Sequence, residues 1–156
     1  MRKLTAMLLG AFVLFGTTHL KAQQATATGN VSITIGTIAY INVTNPDVAF
    51  NNPANTDFAT GYIDANNTVA IQYGANAAHD LQIQVDGLGG KPVGDLLWSV
   101  DGGSNWTSMT TTAANMVSQG AGGLENATVN FRMNLDWATD VAGTYSGQIT
   151  YTVIAN

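Results

Sequence analysis

The chain has 156 residues, 46% of them hydrophobic and only 10% charged, and it contains no cysteine, which excludes disulfide staples, thiol chemistry and cysteine-ligated zinc. Ten acidic residues against five basic ones give a formal charge of −5 at pH 7, which argues against nucleic acid or an anionic membrane surface as partner. Packing and strand pairing must hold this fold unaided.

Arg2 and Lys3 open the chain, and an uncharged apolar run follows from Leu4 to Gly16 that is too short to span a bilayer comfortably. With Leu20 and Ala22 at the −3 and −1 positions, residues 1–22 read as a cleavable signal peptide, so the protein is expected in the periplasm, on the cell surface or outside the cell, with no membrane insertion after cleavage. Cleavage would remove three of the five basic residues and leave Lys91 and Arg132 against all ten acids, a formal charge of −8. Taking 22 from 156 leaves 134 residues, which suits a single domain over 23–156 with residues 23–30, small and polar, as a flexible lead-in.

Apolar and polar residues then alternate with period two in one short segment after another, the pattern of strands with one buried face. In chain order these are Val31-Ile33-Ile35, Ile41-Val43, Val48-Phe50, Val69-Ile71-Tyr73 and Leu81-Ile83-Val85. Leu96 to Val100 and Asn105 to Met109 form a predicted hairpin, and Thr110 to Asn115 reads as a loop or edge strand. The clearest alternation follows, with Val129, Phe131, Met133, Leu135 and Trp137 on one face, and the chain closes on Tyr145, Ile149, Tyr151 and Val153. Clusters such as Asn45-Pro46-Asp47, Asn51-Asn52-Pro53 and Gly87-Leu88-Gly89-Gly90 mark the turns between them. No long amphipathic helix is expected. The class predicted is all-β, an immunoglobulin-like two-sheet antiparallel β-sandwich, with a closed barrel as the alternative.

Two local motifs stand out. Ser99, Asp101, Gly103 and Trp106 lie in Ser-Val-Asp-Gly-Gly-Ser-Asn-Trp, which resembles the Asp box of sialidase-type propellers with Asn105 where threonine is usual. Occurring once, it implies a hairpin in which the aspartate caps turn amides and the tryptophan folds back, and it implies no sialidase. Asp140, Gly143 and Tyr145, in Asp-Val-Ala-Gly-Thr-Tyr ahead of a strand, resemble the tyrosine corner of immunoglobulin-like sandwiches, with Gly147 where those domains carry a cysteine. Both motifs are read as structural.

For catalysis the inventory is poor. His79, the one histidine after residue 22, stands beside Asp80 and reads as a solvated turn pair, and no nucleophile elbow, His-Glu-x-x-His or phosphate-binding glycine pattern occurs. The chain is therefore read as no enzyme, with no cofactor and no metal. Of the tryptophans, Trp98 and Trp137 are expected in the core, and Trp106 is the candidate exposed aromatic for stacking on a ligand.

The ending Ala-Gly-Thr-Tyr-Ser-Gly-Gln-Ile-Thr-Tyr-Thr-Val, residues 142–153, resembles the closing strand of bacterial surface sandwich domains of the WxL type and of spore-coat-U or fimbrial-type subunits. The WxL signature itself is unmet, because Val100 follows Trp98-Ser99 where leucine is expected. The resemblance implies a non-catalytic structural or adhesive subunit whose partners are further copies or other surface subunits. Under it, Val31, Ile33 and Ile35 become candidate anchors for β-strand addition to a neighbour, the alternative being an ordinary first strand. A carbohydrate-binding module, with glycans as partners, is the competing reading.

Overall fold

A computed structural model describes residues 30–156, so the expected signal peptide, residues 1–22, and nearly all of the expected lead-in lie outside the described residues. In chain order the elements are β1 (Ala39–Thr44), α1 (Asn55–Thr60), β2 (Tyr62–Asp64), β3 (Val69–Ala75), β4 (His79–Val85), β5 (Leu96–Ser99), β6 (Thr107–Ser108), β7 (Ala114–Gln119), β8 (Glu125–Asn134) and β9 (Ile149–Ala155). One sheet runs β1-β3-β8-β5-β6, with β2 also paired to β8, and the other runs β7-β4-β9. Every pairing is antiparallel. The chain from Ile35 onward is thus an all-β two-sheet sandwich.

Alternation builds its core. Val69, Ile71 and Tyr73 of β3, Leu81, Ile83 and Val85 of β4, and Val129 and Phe131 of β8 are all buried, joined by Leu96 and Trp98 of β5 and by Met109. Because the side-chain period is two, a slip of one residue in any of these ladders would turn its apolar row to solvent, which pins the register. His79 belongs to the same row. It opens β4 fully buried, its ring edge-on to Tyr73 and its Nδ1 3.0 Å from the carbonyl oxygen of Ala77, which corrects the expectation of a solvated pair with Asp80. Strand alternation sends Asp80 to the other face, where it accepts a hydrogen bond from the Asn156 amide.

At one side of the sandwich the core is less well covered. Ile41 and Val43 of β1 stand opposite the buried Tyr73 and Ile71, yet Ile41 is 37% exposed and Val43 half-buried. On β9, Ile149, Tyr151 and Val153 stand opposite the buried Val85, Ile83 and Leu81 and are again only half-buried. The edges β1 and β9 approach each other there, and among the described residues β9 has a ladder partner on one side only. An edge of this kind presents a free row of backbone donors and acceptors.

Three expectations are corrected here. Residues 30–38 form no strand, and the first ladder begins at Ala39, so Val31, Ile33 and Ile35 are not the first strand of the sandwich. Val48 and Phe50 pack against the core from chain that pairs with no ladder. Trp137 lies beyond the end of β8 and is 64% exposed, not in the core. Its alternation is broken by a turn in which the Asp140 N–H donates to the Asp136 carbonyl at 2.9 Å and the Asp136 N–H donates to the Asp140 carboxylate at 2.9 Å.

Candidate functional site

Three places collect the residues to which function could attach. The first is the segment before β1, where Val31, Ile33 and Ile35 are 98%, 82% and 72% exposed. Its root is fixed by one side chain. Asn76, in the turn between β3 and β4, donates from its amide to the carbonyl of Gly36 at 2.8 Å and accepts the Ile38 N–H at 2.8 Å, while its own N–H donates to the Ile38 carbonyl at 3.2 Å.

The second is the β5–β6 hairpin. The Asp101 carboxylate accepts the Ser99 hydroxyl at 2.6 Å, the backbone N–H groups of Ser104 and Asn105 at 3.0 Å each, and the Asn105 amide at 2.6 Å. These donors, the Ser99 hydroxyl foremost, hold the Asp101 carboxyl well below the usual carboxylate range. Gly102 and Gly103 adopt φ values of 73° and 85°, which the turn requires and glycine supplies. A Cβ on Gly103 would lie 3.1 Å from Trp106, whose ring folds back over the turn.

Trp106 is accordingly half-buried. The Arg132 guanidinium lies 4.4 Å from its ring centre and 3.6 Å from that of Tyr62, and is held by a two-pronged ion pair to Asp64 at 2.7 and 3.1 Å. With Arg132 over its ring and the glycine turn against its edge, Trp106 is engaged within the domain, which departs from its reading as the exposed platform.

The third is a groove of about 690 Å³ lined chiefly by Phe50, Phe58, Met133, Leu135, Trp137 and Tyr145. Local rules assemble it. Asp57 accepts the Ala54 N–H at 2.8 Å and so caps the short helix α1, which ends at Gly61 with φ 82° and presents Phe58. The Leu135 N–H donates to the Gly61 carbonyl at 2.9 Å, tying the end of β8 to the end of α1. Trp137 then stacks on Phe58, ring centres 4.3 Å apart and planes 28° from parallel. Opposite, the Tyr145 hydroxyl donates to the Val141 carbonyl at 2.7 Å, four residues back, which is the geometry of a tyrosine corner.

At the groove's end Lys91 is paired with Asp140 and, at 3.1 Å, with Asp95. The side chains of Lys91 and Asp140 are only 3% and 8% exposed. Burial works against the ammonium, but hydrogen bonds to the two carboxylates outweigh it and raise the Lys91 pKa. Asp140 is thus more than a turn residue, since it neutralises a buried lysine. At Gly143 a Cβ would meet nothing within 4 Å, so space does not explain that glycine.

Among the described residues no three His, Asp or Glu side chains converge to hold a metal ion, and no helix is long and apolar enough to cross a membrane. His79 sits in the core, away from any groove described above. In comparisons with protein-family models, curated proteins and solved structures, nothing matches this chain.

Sequence reasoning did not find Phe58 or the exposure of Trp137. A signal for the second was present in Asp136 and Asp140, spaced to close a turn across the tryptophan.

Proposed function

We propose that the protein is an exported, non-catalytic surface subunit built on an immunoglobulin-like sandwich, and that it self-associates by β-strand addition. The observation that carries this reading is the alternating row Val31, Ile33 and Ile35, 98%, 82% and 72% exposed and without a ladder partner among the described residues. Such a row gains by pairing, since each buried branched side chain is worth roughly 1.5–3 kcal/mol. The half-covered inner rows of β1 and β9, beside the free edge of β9, are the matching receptor on a second copy.

The test compares the exported chain, residues 23–156, with its Ile33→Asp variant by size-exclusion chromatography with light scattering and by negative-stain microscopy. Oligomers or filaments that disappear in the variant, at unchanged thermal stability of the monomer, support the reading. A wild-type chain that stays monomeric at high concentration rejects it.

A further inference from the structure

We propose that the groove between α1 and the segment after β8 binds a neutral saccharide, with Trp137 as its stacking platform. The proposal is independent of strand addition and rests on different residues. One face of the Trp137 ring is braced by Phe58, ring centres 4.3 Å apart, and the residue is 64% exposed, so the opposite face is open. A tryptophan usually buries a large apolar area in folding, and one held rigid but uncovered offers a flat surface to the C–H face of a pyranose ring.

Polar groups line the same space. The groove includes Asn51, Asn52 and Thr144 beside the aromatic residues, the mixture of apolar wall and few oriented polar groups that fixes a small ligand. The Asn51 amide oxygen is already oriented by the Asn66 side chain at 3.0 Å, and the Asn66 N–H donates to the Ala49 carbonyl at 2.8 Å, so that wall is built rather than loose. A volume of about 690 Å³ lies within the roughly 300–1,000 Å³ usual for small-ligand sites.

Charge selects the class of ligand. Among the described residues, the basic side chain of the groove is Lys91, which is buried against Asp140 and Asp95, so none of them offers a free cation there to meet a phosphate, a sulfate or a uronic acid. The walls also argue against a peptide strand as occupant: residues 50–53 and 135–145 lie outside every ladder.

The experiment titrates the exported chain, residues 23–156, with maltotriose, cellotriose, chitotriose and mannotriose at millimolar concentration, read by tryptophan fluorescence and by saturation-transfer NMR. At least one trisaccharide is expected to bind, with affinity falling roughly tenfold or more in Trp137→Ala and unchanged in Trp106→Ala. Because Trp137 is mostly exposed, the variant is expected to keep its fold, checked by thermal unfolding. The Ile33→Asp variant should bind as the wild type does, which separates this proposal from strand addition. No binding by any of the four, binding that survives Trp137→Ala, or a dimer that dissociates on Trp137→Ala would each overturn it, the last by making the groove an interface between copies.

Discussion

A Cβ placed on Gly147 would lie 2.8 Å from the carbonyl carbon of Gly87 and overlap its oxygen, so two backbones touch where the chain enters β9. The contact is locked by Asp86, whose N–H donates to the Gln148 carbonyl at 3.1 Å while its carboxylate accepts the Gln148 N–H at 2.6 Å. Gly147 is therefore a point of close approach between backbones. Gly147→Ala is expected to destabilise the domain by about 1–3 kcal/mol through overpacking. Gly143→Ala, in open space, is expected to stay within about 0.5 kcal/mol. Chemical denaturation of both variants checks the contrast, and equal midpoints would refute it.

Lys91 and Asp140 form a buried pair in which either partner alone is a liability. Lys91→Met is expected to cost about 3 kcal/mol, because it leaves the Asp140 carboxylate buried beside Asp95 without its cation. Adding Asp140→Asn should recover part of that loss, since the second change removes the stranded charge. A double variant no more stable than Lys91→Met would show that the carboxylate was not the cause.

The Asp101 hub makes a pH prediction. A carboxyl whose folded pKa is held below its ordinary value of 3.8 contributes stability in full above that value and loses it as pH falls toward the folded one. The wild type should therefore lose stability below about pH 4, and Asp101→Asn should show a lower melting temperature at neutral pH with a flatter acid limb. Parallel acid limbs in the two proteins would exclude Asp101 as a contributor.

Arg132→Lys tests the stack between Tyr62 and Trp106. Lysine keeps the charge but loses the planar fork on Asp64 and the face-on contact with both rings, for an expected cost of about 1 kcal/mol and a shift in Trp106 emission. Unchanged stability and emission would mean that the flat guanidinium contributes nothing there.

Strands with strong alternation were legible from residues alone: β3, β4 and β8 each carry an alternating row with buried apolar residues at its centre. β2 and β7 were not. β2 is three residues long, and β7, Ala-Asn-Met-Val-Ser-Gln, is an edge strand whose register with β4 shifts at Leu81/Gln82. Alternation also misled where nothing in the residues says whether a row finds a partner, as with Val31, Ile33 and Ile35, or where it stops, as with Trp137 past Asn134. His79 was missed for a related reason. Its neighbour Asp80 suggests water, while strand geometry sends the two side chains to opposite faces. The groove joins residues from before α1, from α1 itself and from beyond β8, a convergence set by the Leu135–Gly61 hydrogen bond rather than by any local motif.

The three tryptophans occupy three unlike surroundings: Trp98 in the core, Trp106 against a guanidinium, and Trp137 facing water over a phenyl ring. The chain consequently carries its own set of optical reporters. In variants that keep one tryptophan each, Trp98 reports on the core, Trp106 on the hairpin and Trp137 on the groove, without any added label.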